Sequence, residues 1–153
     1  MSDTIGLAGL RVMVVDDSNT IRRSAEMFLR QVGCEVILAE DGFDALAKVA
    51  DHAPDVIFCD ILMPRLDGYK TCTLIRKSRR YGAIPIVMLS SRDGLFDRAR
   101  ARMVGAADYL TKPFTKDALI IAAARACPVL RETEPSGEAP ASEELALSFD
   151  VAV

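Results

Sequence analysis

The sequence contains no tryptophan, one histidine and only four cysteines among its 153 residues. The cysteines, Cys34, Cys59, Cys72 and Cys127, lie in separate apolar segments without CxxC spacing, so a soft-metal site fits poorly and we expect reduced core thiols. No stretch reaches the roughly 18 apolar residues of a membrane span, and the first ten residues lack the basic and apolar segments of a signal peptide. We therefore expect a cytoplasmic protein without membrane insertion.

Excess negative charge is absent until the C-terminal segment. Residues 131–153 have a net charge of -5, whereas residues 1–130 have a net charge of +2. The acidic segment also contains Pro135, Gly137 and Pro140 among small polar residues, a composition that cannot bury enough apolar surface to fold. We therefore predict one folded domain over residues 8–130, which is the usual size for a single core, and a disordered acidic tail over residues 131–153.

Short apolar runs alternate with longer segments of helical periodicity, which is the pattern of a parallel sheet covered by helices on both faces. Five strands are predicted, over residues 10–15, 35–39, 55–59, 84–89 and 108–110. The first helix follows Ser18 as its N-cap and ends at Gly33, and the others cover residues 42–51, 68–77, 94–104 and 115–126. Right-handed crossovers then favour an α/β, doubly wound sheet of five parallel strands in the order 2-1-3-4-5.

Three carboxylates are predicted to meet at one edge of this sheet. Asp16 and Asp17 follow the first strand and Asp60 follows the third, and the topology reverses between those two strands, where such sheets bind ligands. One acid at a strand end is commonly a helix cap or a loop residue, but three in the same crevice favour a site for a hard cation. Mg²⁺ fits best, since it accepts one or two carboxylates together with phosphate oxygens and keeps several waters.

Lys112 and Ser90 are predicted at the same edge. Lys112 follows the fifth strand, where it could neutralise charge while Asp60 attacks a phosphorus centre and forms an aspartyl phosphate. Ser90 ends the fourth strand, where its hydroxyl could donate a hydrogen bond to a phosphoryl oxygen. The alternatives are that Lys112 is an ordinary loop lysine and that the serine is a helix cap. Spacing alone does not decide which of Ser90 and Ser91 contacts the phosphate and which caps the following helix.

Several segments together resemble the response-regulator receiver family. The resemblance covers residues 10–127 and implies the flavodoxin-like (CheY-like) fold. It also implies that Asp60 is the phosphoacceptor, that Lys112 contacts the phosphate and that the peptide bond between Lys112 and Pro113 is cis. The segments are Val14-Val15-Asp16-Asp17-Ser18, Asp60-Ile61-Leu62-Met63-Pro64 with Asp67-Gly68, Leu89-Ser90-Ser91 and Lys112-Pro113-Phe114.

The same resemblance implies a set of metal ligands. Asp17, Asp60 and the backbone carbonyl of Leu62 would bind Mg²⁺, and Asp16 would hold the metal through a water. The phosphoryl group would come from a sensor histidine kinase or its phosphotransfer domain. The protein would then be a phosphorylated signalling protein rather than an enzyme that turns over a free substrate.

Ser90 and Tyr109 form the switch pair that the resemblance implies. Phosphorylation would change the surface of the fourth helix, the fifth strand and the fifth helix, and the protein would be a monomer or a weak phosphorylation-dependent dimer. The fourth helix carries Arg98, Arg100 and Arg102. These arginines favour an acidic protein partner, because the chain lacks a recognition-helix module and has few aromatics for binding nucleic acid.

A narrower resemblance points to the PilG-type regulators of type IV pilus twitching motility. It implies an output protein of the pilus or motility machinery, or a chemotaxis-like pathway. The acidic tail departs from that pattern. The resemblance rests on Thr20-Ile21-Arg22-Arg23, Asp41-Gly42-Phe43-Asp44-Ala45-Leu46, Pro64-Arg65-Leu66-Asp67-Gly68-Tyr69 and Ser90-Ser91-Arg92-Asp93-Gly94-Leu95-Phe96-Asp97.

Two other functions are compatible with parts of the pattern. A phosphatase of the haloacid dehalogenase class also uses an aspartate nucleophile and magnesium, but it requires a second aspartate where Leu62 stands, and the length leaves no room for a cap domain. A phosphorylation-independent scaffold on the same fold is the other alternative. The complete set of acids, hydroxyl and lysine argues against it.

Overall fold

Strands and helices alternate along the chain in the computed structural model, which describes residues 6–91 and 95–127. The predicted tail over residues 131–153, the end of the predicted domain over residues 128–130, and Gly94 at the predicted start of the fourth helix lie outside the described residues. The elements are β1 (Arg11–Val15), α1 (Asn19–Gln31), β2 (Glu35–Ala39), α2 (Gly42–His52), β3 (Val56–Asp60), α3 (Gly68–Lys77), β4 (Ile86–Ser90), α4 (Leu95–Met103), β5 (Asp108–Thr111) and α5 (Lys116–Ala126).

The five strands form one parallel sheet in the order β2-β1-β3-β4-β5, so the predicted fold and strand order are confirmed. The three central strands are buried along nearly their whole length, whereas the edge strands β2 and β5 are largely half-buried. This difference follows from the helices, which cover both faces of the sheet and leave its two edges less protected.

Alternate residues of the central strands belong to two separate cores. Val12, Val14 and Phe58 face α1 and α5, whereas Met13, Val15 and Ile57 face α2, α3 and α4. The four cysteines are buried in these cores and form no disulfide, as predicted. Within the described part of the chain, no helix is long and apolar enough to cross a membrane.

The ends of α1 follow the predicted capping residues, whereas Thr115, predicted as the first residue of the last helix, is the N-cap of α5. The Ser18 side chain accepts a hydrogen bond from the backbone N–H of Ile21 at 3.3 Å, and Thr115 caps α5 in the same way through Ala118 at 3.0 Å. Gly33 follows α1 with a φ of +90°, a left-handed conformation that glycine adopts without steric cost. The chain can therefore turn sharply from α1 into β2.

Strands β3, β4 and β5 each extend one residue beyond the predicted ends, to Asp60, Ser90 and Thr111. Backbone pairing continues there, since the Lys112 N–H donates to the Ser90 carbonyl, and such pairing does not depend on side-chain polarity. Strand β4 also begins two residues later than predicted because Pro85 has no N–H to contribute to the ladder. The polar side chains therefore start from rigid strand ends rather than from loops.

Candidate functional site

Asp16, Asp17 and Asp60 come together at the carboxyl edge of the sheet, where β1 and β3 pair side by side. One carboxylate oxygen from each lies within 4.8 Å of the others. Asp16 and Asp60 are buried, whereas Asp17 is exposed at the mouth. The structure therefore brings the three predicted acids together as oxygen donors suited to a hard cation.

Both carboxylate oxygens of Asp16 accept hydrogen bonds from the protein. Oδ1 accepts from the backbone N–H of Ser18 at 2.8 Å, and Oδ2 accepts from Nζ of Lys112 at 3.0 Å. The first bond closes the turn between β1 and α1 and holds the side chain in one orientation. The Asp16 carboxylate is thus held in a fixed position at the site.

The Lys112 side chain crosses the edge of the sheet from the end of β5. Its Nζ lies 3.0 Å from Oδ1 of Asp60 and 3.0 Å from Oδ2 of Asp16, and only 14% of its side chain is exposed. Burial by itself lowers the pKa of Lys112, but hydrogen bonds and charges from the two aspartates outweigh this effect and raise the pKa. The ammonium therefore stays charged between the two buried acids. The bond between Lys112 and Pro113 is cis, as predicted.

Asp60 is the acid most perturbed by this environment. Burial raises the pKa of its carboxyl to about 6, and the neighbouring charges of Asp16 and Asp17 contribute, although the hydrogen bond and charge of Lys112 partly offset them. Desolvation and like charges both disfavour the ionised form. A cation bound beside Asp60 would therefore stabilise the ionised form of its carboxyl. Asp60 lies at the carboxyl edge of the sheet, where such folds bind ligands.

The close approach of α3 positions the loop that follows Asp60. The N–H of Gly68, the first residue of α3, donates to the carbonyl of Ile61 at 2.8 Å. A Cβ at Gly68 would collide with the Asp60 carbonyl oxygen and lie 2.8 Å from the Cα of Ile61. Only glycine therefore allows this helix to start so near the end of β3.

Replacing Gly68 by alanine is expected to lower the free energy of unfolding by about 1 to 3 kcal/mol, because the colliding atoms belong to the backbone next to Asp60. Chemical denaturation measures this loss. Gly42→Ala is the comparison, since Gly42 also begins a helix but a Cβ there meets side-chain atoms of Thr71 and Leu66 rather than backbone atoms, so its loss of stability should be smaller. An equal loss of stability in the two variants would contradict a larger cost for the backbone collision at Gly68.

Ser90 lies at the end of β4, is 4% exposed and donates a hydrogen bond from Oγ to Oδ2 of Asp97 at 3.0 Å. Asp97 is in the first turn of α4 and also accepts from the Tyr69 hydroxyl through Oδ1 at 3.3 Å. Ser91 is exposed. The buried serine is thus Ser90, and it contacts α4.

Tyr109 and Leu62 are the remaining predicted site residues. Tyr109 is half-buried in β5 and packs against the core beneath α4, with the Arg98 guanidinium 5.5 Å from its ring centroid. Because Tyr109 is paired with Met88, and Ser90 is two residues after Met88, the Ser90 and Tyr109 side chains share one face of the sheet. Leu62 lies two residues after Asp60, and its side chain is exposed.

Sequence reasoning missed Asp97 and Tyr69. Tyr69 stands directly after Gly68, and its ring lies 4.4 Å from the guanidinium of Arg100 on α4. No periodicity relates Ser90 to an acid seven residues later across a strand-to-helix loop, and only the packing of α4 on α3 brings the two hydroxyls to one carboxylate. The sequence also did not show that Arg98 and Arg100, which are exposed, place their guanidinium groups over tyrosine rings.

Residues 12–124 match the response regulator receiver domain family. Protein PilG of Pseudomonas aeruginosa is 62% identical over 112 residues, which cover 73% of this chain and 83% of that protein. Response regulator MprA of Mycobacterium avium is 38% identical over 140 residues, which cover 92% of this chain but only 58% of that protein. The chain therefore spans little more than half the length of MprA.

Solved structures show the same similarity. The chemotaxis protein CheY4 of Vibrio cholerae superposes with a TM-score of 0.75 and 34% identity, covering 78% of this chain and 99% of that one. A putative response regulator from Chloroflexus aurantiacus gives a TM-score of 0.75 and 32% identity, covering 77% of this chain and 97% of that one. With the family match over residues 12–124 and the five-stranded sheet, these similarities show that the chain belongs to the response regulator receiver domain family, whose members signal through phosphorylation.

Proposed function

We propose that Asp60 accepts a phosphoryl group from a sensor histidine kinase or its phosphotransfer domain. The observation that carries the proposal is the position of Lys112, whose Nζ lies 3.0 Å from both Asp60 and Asp16 beside a cluster of three acids. A buried nucleophile, a fixed cation and a set of oxygen donors are what transfer of a phosphoryl group requires.

In the transfer, a carboxylate oxygen of Asp60 attacks the phosphorus of a phosphohistidine. The new O–P bond forms as the P–N bond breaks, and the imidazole nitrogen leaves with the electron pair. Lys112 orients the carboxylate and balances the negative charge that accumulates between Asp16 and Asp60. Ser90 then donates a hydrogen bond from its hydroxyl to an oxygen of the phosphoryl group.

The acids fit Mg²⁺ as the metal of this site. Asp17 and Asp60, with the backbone carbonyl of Leu62, would bind the ion, and Asp16, whose two oxygens each accept a hydrogen bond from the protein, would hold it through a water. When bound, Mg²⁺ supplies positive charge to the phosphoryl oxygens. Lys112, whose Nζ lies 3.0 Å from Asp60, would contribute a second positive charge.

The output surface that we propose is formed by α4, β5 and α5. An open cleft of about 330 Å³ lies between α4 and β5 and includes Arg98, Arg102, Asp108 and Tyr109 in its lining. Movement of Ser90 toward the phosphoryl group would leave space for the Tyr109 ring to rotate inward and would reshape this cleft. Reversing a 1:99 population takes about 5.5 kcal/mol, which a few charge-assisted hydrogen bonds can supply.

The partner that we propose is an output protein of the type IV pilus or of a chemotaxis-like motility pathway, in the cytoplasm. The similarity to Protein PilG supports the first of these pathways, and the basic side chains on α4 suit an acidic binding segment. The protein would act as a monomer or a weak phosphorylation-dependent dimer, without turnover of a free substrate and without binding nucleic acid. Residues 131–153 would remain a solvated acidic tail.

Incubation with Mg²⁺ and acetyl phosphate tests the proposal directly. We expect one phosphoryl group per chain by intact mass, located on Asp60 by borohydride reduction and peptide mapping, and no label when EDTA replaces Mg²⁺. Asp60→Asn should abolish the label, because an amide is not a nucleophile of this kind.

Asp117→Asn is the control, since Asp117 is an exposed acid in the first turn of α5 and lies outside the cluster of acids. This variant should be labelled as the unchanged chain is. A label that persists in Asp60→Asn would reject Asp60 as the acceptor, and a chain that takes no label in Mg²⁺ would reject the phosphorylation switch itself.

A further inference from the structure

We infer that Asp97 holds the Ser90 hydroxyl away from Asp60 and competes with a phosphoryl group for the Ser90 proton. The inference rests on the proposed function, because it assigns to Asp97 the task of resisting the switch that phosphorylation of Asp60 would drive. It deepens that function by naming a residue, outside the cluster of acids and Lys112, that sets the free energy needed to move Ser90 toward the phosphoryl group.

The competition follows from the hydrogen-bonding capacity of a hydroxyl group. Ser90 Oγ carries a single proton, which it donates to Oδ2 of Asp97 at 3.0 Å. A phosphoryl oxygen on Asp60 would need the same proton. Because the Asp97 carboxylate is a charged acceptor, this hydrogen bond is stronger than one between two neutral groups. A phosphoryl oxygen on Asp60 would have to offer Ser90 a hydrogen bond of similar strength.

Asp97 cannot easily move with Ser90, because Tyr69 also holds it. The Tyr69 hydroxyl donates to Oδ1 of Asp97 at 3.3 Å, and Tyr69 is 6% exposed. Burial first, and then the charge of Asp97, raises the pKa of Tyr69 to about 12, so the hydroxyl remains a donor at every physiological pH. The two hydroxyls thus bind the two oxygens of one carboxylate.

A second contact ties the same part of α4 to α3. The guanidinium of Arg100, three residues after Asp97, lies 4.4 Å from the centroid of the Tyr69 ring. Tyr69 in turn follows Gly68, whose N–H is bonded to the carbonyl of Ile61 next to Asp60. The position of α4 is therefore coupled through α3 to the loop that follows Asp60. If Ser90 turned toward the phosphoryl group, α4 would lose its hydrogen bond to the end of β4.

Binding of beryllium fluoride, which imitates a phosphoryl group on a carboxylate, measures this competition in the presence of Mg²⁺. We expect Asp97→Ala to bind beryllium fluoride about tenfold more tightly by calorimetry, because the charged competitor is gone. Asp97→Asn keeps the shape of the side chain and a neutral acceptor oxygen, so it should show a smaller gain in affinity. Asp51→Ala, an exposed acid near the end of α2 and outside the proposed output surface, is the control and should bind as the unchanged chain does.

A double-mutant cycle with Ser90→Ala separates competition from a purely structural role. Without the Ser90 hydroxyl, Asp97→Ala should no longer tighten the binding of beryllium fluoride. A gain that persists in the Ser90→Ala background, or an Asp97→Ala chain with unchanged affinity, would overturn the inference while leaving the proposed function intact. If the unchanged chain does not bind beryllium fluoride in Mg²⁺ and accepts no phosphoryl group on Asp60, both proposals fall.

Discussion

Replacing Lys112 by methionine is expected to lower the free energy of unfolding by about 3 to 5 kcal/mol in metal-free buffer near neutral pH. The side chains of Asp16 and Asp60 are 0% and 5% exposed, and Lys112 contacts both at 3.0 Å. Methionine preserves much of the apolar stem but leaves two buried carboxylates without their cation. Urea denaturation with EDTA present measures the loss.

Added Mg²⁺ should restore more stability to Lys112→Met than it adds to the unchanged chain, since the ion would replace part of the missing charge. Phosphorylation by acetyl phosphate is still expected to be slower by about 100-fold to 1,000-fold, because the fixed donor at the reacting carboxylate is lost. Lys48→Met is the control. Lys48 pairs with Asp44 at 3.3 Å on the surface of α2, where both side chains are about a third exposed, and its loss should cost about 1 kcal/mol or less. Equal losses in the two variants would contradict a buried charge cluster.

Replacing Asp60 by asparagine is expected to have the opposite effect and raise the free energy of unfolding by about 1 to 3 kcal/mol at about pH 8 without metal. Burial and the neighbouring charges of Asp16 and Asp17 raise the pKa of Asp60 to about 6 in the folded protein, whereas an unfolded aspartate titrates near about 3.9. The folded chain therefore binds this proton more tightly than the unfolded chain. The stability that the proton contributes is fully present below about pH 4 and is lost as the pH rises through about 6.

The asparagine side chain has no charge to desolvate, and Lys112 keeps its bond to Asp16 in the variant. The gain in stability should therefore be largest at about pH 8 and disappear near about pH 4, as thermal or urea unfolding across that range would show. Saturating Mg²⁺ should reduce the gain, because the ion stabilises the carboxylate and not the amide. Asp117→Asn should change stability by no more than about 0.5 kcal/mol at any of these pH values. An Asp60→Asn chain less stable than the unchanged protein at about pH 8 would contradict the repulsion that we describe.

Much of the site was predictable because the fold depends on patterns that are local in the sequence. Apolar runs separated by helical segments specify parallel strands, and parallel strands place all their carboxyl ends on one edge. Asp16, Asp60 and Lys112 could thus be assigned to one crevice although Lys112 is 96 residues from Asp16. The strand ends were less predictable, since the backbone ladder continues through the polar residues Asp60, Ser90 and Thr111.

The sequence by itself predicted which residues would take part in the proposed chemistry and which edge of the sheet they share. Only the tertiary structure decided which oxygen each donor meets, how the pKa of Asp60 is raised, and that Ser90 is bonded to Asp97 while Tyr69 holds the same carboxylate. The physical reason is that strand order follows from local periodicity and short connections, whereas desolvation and hydrogen-bond partners depend on how side chains from distant segments pack. The approach of α4 to α3 is such a packing result, and the proposed control of the switch depends on it.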